Sequence, residues 1–232
     1  MSDTTSDTPR HIGFIVDGNR RWAKQHGLPA YEGHLAGYNA MQDVLLEALD
    51  NGVEYASAYI FSTENWKRSH DEVKRLMGLI LKILTADLHV LEEKNVRLRV
   101  LGTREGLSEK VNKAIDKAEA ATATNTGGTL ALCLNYGGQT EIVDAVRAII
   151  QDGVTADEIT PELIARHLYA EDIPPCDLIV RTSGEQRLSN FMLWRSAYSE
   201  LMFLEKNWPD MTKQDVTDIL EAYKHRGRRF GG

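Results

Sequence analysis

The sequence predicts a single α/β domain with a largely parallel six-stranded sheet flanked by helices. The chain has 232 residues, of which 42% are hydrophobic, and this is enough for one sizeable core. Short apolar runs alternate along the chain with segments of helical periodicity. We find no internal repeat and no low-complexity linker, and this alternation is typical of a parallel sheet covered by helices.

Six short apolar runs are the predicted strands, and apolar residues at helical spacing mark the helices between them. In chain order, the strands are 12–16, 55–61, 96–101, 129–134, 177–180 and 201–204. The helical faces lie within 38–49, 111–118, 142–149 and 216–223, and 73–91 is predicted as one longer helix.

Three helix starts carry recognisable capping patterns. Ser69 is followed three residues later by Glu72, which predicts a capping box. Thr160 precedes a proline at the first helical position, and Thr212 precedes the last helix. These signals agree with the helical spacing.

Composition narrows the function classes. The net charge is −7, which does not favour an extended surface for binding nucleic acid. Basic residues nevertheless cluster locally, so we expect small anionic ligands. The two cysteines, Cys133 and Cys176, are expected to be reduced thiols. The N-terminus is polar and acidic, unlike a signal peptide. We therefore expect a cytoplasmic protein with a loose polar tail at 1–9 and one domain at 10–232.

Polar segments follow four of the predicted strands, at 17–22, 62–68, 135–138 and 181–189. Ligands of parallel α/β sheets bind beyond these strand ends, so the segments should share one rim. Arg181, Arg187 and Ser189 offer two guanidinium groups and a hydroxyl, which match a diphosphate. Asp17 beside phosphate needs a cation between them, which predicts Mg²⁺ with Glu200 as a second candidate ligand.

Each of these features also has an ordinary structural explanation. Asp-Gly-Asn after a strand is a common turn. Arg20 and Arg21 could be a solvated helix start, and Trp22 could be a packing residue. The residues alone therefore indicate a phosphate-binding α/β protein, and no narrower function.

Six motifs in order, from His11 to the end of the chain, resemble the cis-prenyltransferase family of undecaprenyl diphosphate synthases. They are HIGFIVDGNRRWA, EGHLAG, YIFSTENWKR, LNYGGQTEIVDA, DLIVRTSGEQRLSNFMLWRSAYSEL and the terminal RRFGG. The resemblance implies a Mg²⁺-dependent isoprenyl transferase that condenses isopentenyl diphosphate with an allylic prenyl diphosphate, farnesyl or geranyl. The product would be a Z-polyprenyl diphosphate such as undecaprenyl diphosphate, with release of diphosphate.

The resemblance also assigns roles to residues. Asp17 and Asn65 match the catalytic positions, and Asp17 and Glu200 match the metal positions. Because an amide is a poor base, we expect Asn65 to orient the reacting group while a phosphate oxygen or a relay takes the proton. The matching substrate-binding positions are Gly18, Asn19, Arg20, Arg21, Trp22, His34, Ser62, Thr63, Glu64, Trp66, Arg68, Arg181, Arg187, Leu188 and Ser189.

Two departures from the family pattern stand out. Ala30 occupies a position that is commonly arginine, and Arg20 could compensate for it. Ile60 stands where long-chain synthases often have alanine, and its bulk could shorten the product in the family's apolar tunnel. We expect that tunnel between the helices around 38–49 and 77–91.

The resemblance further implies a homodimer, no nucleic-acid partner, and peripheral contact with a membrane as the product leaves. The basic tail at 224–229 and the final RRFGG would touch either lipid headgroups or, as the family pattern favours, the active site across the dimer. Two alternatives remain at this point. One is a non-catalytic regulatory subunit of a synthase, and the other is an enzyme that couples two allylic units irregularly.

Overall fold

The computed structural model describes residues 8–226, so most of the predicted tail and the final RRFGG lie outside the described residues. Within that range, a six-stranded sheet has the order β3-β4-β2-β1-β5-β6, and all neighbouring strands are parallel. The predicted fold class is confirmed. The strands are β1 His11–Ile15, β2 Tyr55–Ser62, β3 Arg97–Leu101, β4 Thr129–Tyr136, β5 Leu178–Arg181 and β6 Glu200–Phe203.

The helices connect these strands, and their starts follow the capping patterns. Thr160 and Thr212 each accept a backbone N–H of their helix through the side-chain hydroxyl, as predicted. Ser69 does the same for the N–H of Glu72. The helices are α1 Asn19–Gln25, α2 Ala30–Asp50, α3 His70–Thr85, α4 Leu88–Glu93, α5 Glu109–Thr122, α6 Gly138–Gln151, α7 Pro161–Arg166 and α8 Lys213–Lys224.

The prediction of one helix through 73–91 is wrong. The chain breaks between α3 and α4, where the N–H of Asp87 reaches the carbonyl of Lys82, five residues back. Thr85 also bonds the Leu81 carbonyl through its hydroxyl, an arrangement that often bends helices. Leu84 and Leu88 are buried on both sides of the break, so the apolar spacing continues although the helix does not.

The core covers both faces of the sheet. The larger cluster includes buried residues of α2, α3, α5 and α8 against the strands. On the opposite face, the Phe191 ring stacks on Tyr59 with ring centroids 4.9 Å apart. Gly13 of β1 leaves room for that ring, because a Cβ there would lie 2.9 Å from Phe191. This aromatic packing supports the loop after β5 from below.

The strand order places a topological switch at β1. The chain proceeds from β1 to β2 on one side and later places β5 and β6 on the other. In open parallel sheets a crevice forms beyond the carboxyl ends of strands at such a point. The fold therefore directs a ligand site to the residues that follow β1, β2 and β5. No helix within residues 8–226 has both the length and the apolar character needed to cross a membrane.

Candidate active site

The turn after β1 places a carboxylate at the switch point. The N–H of Asp17 donates to the carbonyl of Ile15 at 2.9 Å, and the chain then enters α1 through Gly18. Gly18 has φ 104°, and a Cβ there would lie 2.6 Å from the Asn207 Oδ1 atom. Glycine is therefore required here for both its conformation and its size. The Asp-Gly-Asn turn exists, and it presents Asp17 to the crevice.

Asp17 pairs with the arginine that ends β5. Arg181 Nη2 donates to Asp17 Oδ2 at 2.8 Å, and the guanidinium is only 4% exposed. Its Nη1 atom donates to the hydroxyl of Ser189 at 2.7 Å and to the carbonyl of Arg187. Thr182 reinforces the junction, since its hydroxyl donates to the Asp17 carbonyl at 2.6 Å. Arg181 thus ties the β1 turn to the whole loop after β5.

A second set of ion pairs lies at the same end of the sheet. Arg21 Nη2 donates to Glu185 Oε1 at 2.9 Å, and Arg187 donates to the other oxygen of the same carboxylate. These two guanidinium groups, with the Arg187 hydrogen bond first, lower the pKa of Glu185. Arg21 also donates to the backbone carbonyl of Ser183. Both exposed arginines are therefore held in place by one internal carboxylate.

Two polar cavities meet at Asp17. The first, of about 300 Å³, is the cradle, and its lining combines the β1 turn with His34 and Arg68. The second, the larger polar cavity of about 600 Å³, extends from Asp17 toward β2 and β5. Arg68 lines both. The cradle is lined by Val16, Asp17, Gly18, Asn19, Arg20, Arg21, His34, Arg68 and Ser183. The larger cavity is lined by Ile15, Val16, Asp17, Tyr59, Ser62, Glu64, Asn65, Arg68, Arg181, Arg187, Ser189 and Asn190.

A third cavity of about 120 Å³ adjoins both polar cavities. Its lining is polar beside them and apolar where it runs between α2 and α3, and we call it the apolar cavity after the latter part. Tyr38, Met41 and Ile83 line it and also line a smaller, mostly apolar cavity of about 40 Å³ beyond it. Lys82 lies over the Tyr38 ring, 4.6 Å from its centroid. Two cavities therefore lie between these helices, Ile60 lies on the lining of the first, and a continuous tunnel stays a prediction.

The segment after β2 is a short 3₁₀ helix, Thr63–Lys67, fixed by its own side chains. Asn65 Oδ1 accepts the N–H of Ser62 at 3.1 Å, while Asn65 lines the larger polar and the apolar cavities. Because the amide oxygen is occupied, the free part of the Asn65 side chain is its NH₂ donor. Glu64 accepts from Asn190 Nδ2 at 3.1 Å across the larger cavity.

Several of the residues assigned by resemblance do not line these three cavities. The Trp22 indole donates to Asp210 and stacks on His26, and the Trp66 indole donates to Asn135. Thr63 lies near Gly137, and Leu188 packs against the second core cluster. All four surround the site, and their roles toward substrate stay predictions.

Glu200 lies far from Asp17 within this chain. It begins β6, in register with Leu178, which is itself in register with Ile12 at the start of β1. Parallel strands rise about 3.3 Å per residue, so Glu200 lies at the amino ends of the strands, whereas Asp17 follows the carboxyl end of β1. Its carboxylate pairs with Arg226 at 3.2 Å. Within one chain Glu200 does not lie beside Asp17, and its role as a second metal ligand, which the resemblance also allows in a partner subunit's site, stays a prediction.

The residues support binding of Mg²⁺ through one carboxylate. No group of three or more His, Cys, Asp or Glu side chains within residues 8–226 could hold a metal by itself. Mg²⁺ usually binds through one or two carboxylates together with substrate phosphates. Asp17 is the acidic residue shared by the linings of both polar cavities in the described part of the chain. The donor set therefore fits a metal that arrives with a phosphate-bearing ligand.

Some contributors were not singled out from the sequence. Thr182, Glu185 and Asn190 all lie inside the quoted motif after β5, where a search for polar residues near Arg181 could have found them. The capping-box pattern explains Glu72 only as a helix cap. Its carboxylate instead accepts from His34 and Arg68, residues on two different elements.

Together, these features define a class of protein. It is a parallel α/β protein with two arginine-bearing cavities that share a carboxylate, and an apolar cavity opens beside them. Such a site suits two anionic groups, at least one of them attached to an apolar chain.

Residues 15–231 match the undecaprenyl diphosphate synthase family, and the chain belongs to that family and is an isoprenyl transferase. It is 46% identical to the isoprenyl transferase of Thermotoga maritima over 97% of each chain. It is 47% identical to a trans,polycis-polyprenyl diphosphate synthase specific for (2Z,6E)-farnesyl diphosphate from Thermobifida fusca, over 97% of this chain and 81% of the relative. Lavandulyl diphosphate synthase from Lavandula x intermedia, solved with dimethylallyl diphosphate, superposes with a TM-score of 0.93 at 33% identity, covering 97% of this chain and 99% of that one.

Proposed function

We propose that this isoprenyl transferase condenses isopentenyl diphosphate with a short allylic diphosphate, farnesyl or geranyl. The new double bond is cis, and inorganic diphosphate is released. The observation that carries the proposal is the arrangement of two polar cavities on either side of Asp17, with the apolar cavity beside them. Two diphosphates and one growing chain need this set of three spaces.

The cradle is the proposed site of the allylic diphosphate. Arg20 and Arg21 supply guanidinium donors there, and the Gly18 turn lets the backbone approach closely. The allylic chain then occupies the apolar cavity between α2 and α3, with Ile60 on its lining. The bound allylic substrate therefore has its reacting carbon at the boundary between the cradle and the apolar cavity, next to Arg68.

The larger polar cavity is the proposed site of isopentenyl diphosphate. Arg187 and Ser189 line it, and the buried Arg181 fixes both through its Nη1 contacts. Asn65 lines the same cavity with its NH₂ group free, so we assign it to orienting the substrate. The proton from isopentenyl diphosphate then passes to a phosphate oxygen or a relay, since an amide is a poor base.

Asp17 holds the metal in this proposal. Bound Mg²⁺ would supply positive charge that stabilises the departing diphosphate. The arginines of the cradle add fixed donors around the same oxygens, where charge develops as the bond to the allylic carbon breaks. The Asp17–Arg181 pair keeps the carboxylate oriented before either substrate binds.

The decisive experiment is product formation by the purified protein. We would incubate it with labelled isopentenyl diphosphate, Mg²⁺ and dimethylallyl, geranyl or farnesyl diphosphate, and read product mass. The expected result is incorporation in five-carbon steps, lost on chelation of the metal and restored by Mg²⁺. Absence of incorporation with all three primers at saturating Mg²⁺ would overturn the proposal, and incorporation unaffected by chelation would remove the metal.

We also propose a homodimer, supported by exposed apolar side chains. On α6, Val143, Val146 and Ile150 recur at helical spacing and are 47%, 37% and 66% exposed, and Tyr198 is 74% exposed. Surfaces of this kind mark interfaces. Light scattering should give twice the chain mass, and Val146→Glu should reduce it to one chain, while Leu28→Glu should not. A wild-type monomer would contradict the dimer.

Peripheral membrane contact and a cytoplasmic location complete the proposal. The membrane contact follows from the apolar chain of the product, which partitions into lipid. Sedimentation of the protein with anionic vesicles, before and after product formation, tests the membrane contact. If the same fraction of protein sediments without vesicles, the proposed contact is contradicted.

A further inference from the structure

Glu72 is a largely buried carboxylate whose hydrogen-bond partners differ from those of a capping box. It lies in the first turn of α3 and is 18% exposed. Its Oε1 atom accepts from His34 Nε2 at 3.3 Å and from Arg68 Nη1 at 3.1 Å. In a complete capping box, this carboxylate would turn back to the backbone N–H of Ser69. Ser69 caps Glu72, but the reciprocal bond is replaced by the contacts to His34 and Arg68.

The two partners of Glu72 lie at the junction of the cavities. His34 lines the cradle and the apolar cavity. Arg68 lines those two and the larger polar cavity as well. Glu72 lines none of the three, and with His34 and Asp71 it lines a separate cavity of about 230 Å³. Its contacts with His34 and Arg68 are therefore its link to the three cavities.

The charges around His34 determine which atom donates the proton in its hydrogen bond with Glu72. Burial lowers the pKa of His34, and the guanidinium groups of Arg68 and Arg20 lower it further, although Glu72 opposes them. The ring is therefore neutral near pH 7, and a carboxylate facing Nε2 selects the tautomer that carries its proton there. The same carboxylate holds Arg68 through a charge-assisted bond, which is stronger than a neutral one.

We propose that Glu72 is a positioning residue that fixes the His34 ring and the Arg68 guanidinium at the boundary between the cradle and the apolar cavity. This rests on the proposed function, which places the breaking bond of the allylic diphosphate at that boundary. Donors held there before the reaction stabilise the leaving oxygen without reorganising. Without Glu72, the Arg68 side chain and the imidazole ring are free to sample other rotamers.

The kinetic test compares Glu72→Gln with Asp71→Asn, its exposed neighbour in the same helical turn. Small displacements of catalytic groups cost up to about 100-fold in rate, so we expect kcat to fall about 10- to 100-fold in Glu72→Gln. The KM of each substrate is measured as well, because Arg68 lines both the cradle and the larger polar cavity. Asp71→Asn should change neither constant. Equal kinetics for wild type and Glu72→Gln would overturn the proposal.

A double-mutant cycle separates positioning from a merely structural role. In the backgrounds Arg68→Ala and His34→Ala, the added effect of Glu72→Gln on kcat should shrink to less than about threefold. An undiminished effect in both backgrounds would show that Glu72 acts by another route, and would also overturn the proposal. Thermal unfolding of each variant verifies that the comparison is made on folded protein.

A third measurement does not depend on activity. Nitrogen NMR of the ligand-free protein reports which ring nitrogen of His34 carries the proton. We expect the Nε2–H form in wild type and in Asp71→Asn, and a mixture in Glu72→Ala. Identical His34 spectra in wild type and Glu72→Ala would overturn the proposed contact. If wild type makes no product at all, the proposed function fails, while this spectrum still decides whether Glu72 fixes the ring.

Discussion

Replacing Asp17 by asparagine should separate catalysis from folding. The amide keeps the size of the side chain and can still accept the Gly18 N–H, which lies 2.8 Å from Oδ1. It loses the charge that would hold Mg²⁺ beside the diphosphate. Removing one group that stabilises transition-state charge costs about 2.7–4 kcal/mol, so kcat should fall about 10²- to 10³-fold.

The stability change is expected to be much smaller. Breaking a fully buried ion pair costs about 3–5 kcal/mol, but Asp17 is 37% exposed although Arg181 is only 4% exposed. Screening by water reduces that figure to about 1–2 kcal/mol. For a chain of this size, each kcal/mol corresponds to roughly 2–4 °C in Tm. The Asp17→Asn variant should therefore melt only a few degrees below wild type.

The assay is steady-state product formation at saturating substrates, repeated across Mg²⁺ concentrations. Asp43→Asn is the control, because it removes one exposed carboxylate on α2 outside the cavities. A kcat for Asp17→Asn within threefold of wild type at saturating Mg²⁺ would refute the role of the carboxylate. A melting temperature tens of degrees lower would instead show that the loss of activity reflects unfolding.

Four further outcomes follow from the same structure. Arg20→Gly should raise KM for the allylic substrate about 10- to 100-fold, since a charged hydrogen bond contributes about 1.5–3 kcal/mol; an unchanged KM would contradict the idea that Arg20 compensates for Ala30. Ile60→Ala should lengthen the product by at least one five-carbon unit in mass spectra, and no lengthening would remove Ile60 as a stop. Glu141→Gln leaves the Arg195 guanidinium, which is 3% exposed, without its carboxylate and should cost about 3–5 kcal/mol in urea unfolding, against less than 1 kcal/mol if the pair is unimportant. Burial lowers the pKa of His11 to about 4, so only the unfolded chain gains its proton as pH falls from about 6.5 to about 4; stability should drop by about 3 kcal/mol over that range, and a His11→Asn variant with the same acid loss would contradict this.

Local patterns were sufficient for the sheet. Each predicted strand lies within two residues of an observed one, because short apolar runs buried on both faces leave little ambiguity. The same apolar spacing does not predict the break in the helix before α4. Apolar spacing reports which side chains are buried, and Leu84 and Leu88 are buried whether or not the backbone ladder between them is continuous.

The candidate site was only partly predictable. The strand-end rule brought together Asp17, Arg68, Arg181 and Arg187, since parallel strands end on one rim. It could not predict partners set by long-range packing. Trp22 bonds Asp210, which is 188 positions away, and so points away from the cavities that its motif lines. Pairings of this kind depend on the three-dimensional path of the chain, which no local spacing encodes.

Glu185 gives the ligand-free enzyme an internal counter-ion. Because its carboxylate already bridges Arg21 and Arg187, a diphosphate that binds through the donors facing Glu185 exchanges with that carboxylate. Exchange favours ligands with more charge than a single carboxylate, so weakly charged anions of the cell are poor competitors. It also means that added salt screens the bond that is lost as well as the bond that is gained, so substrate affinity should be less sensitive to ionic strength than two bare arginines would make it.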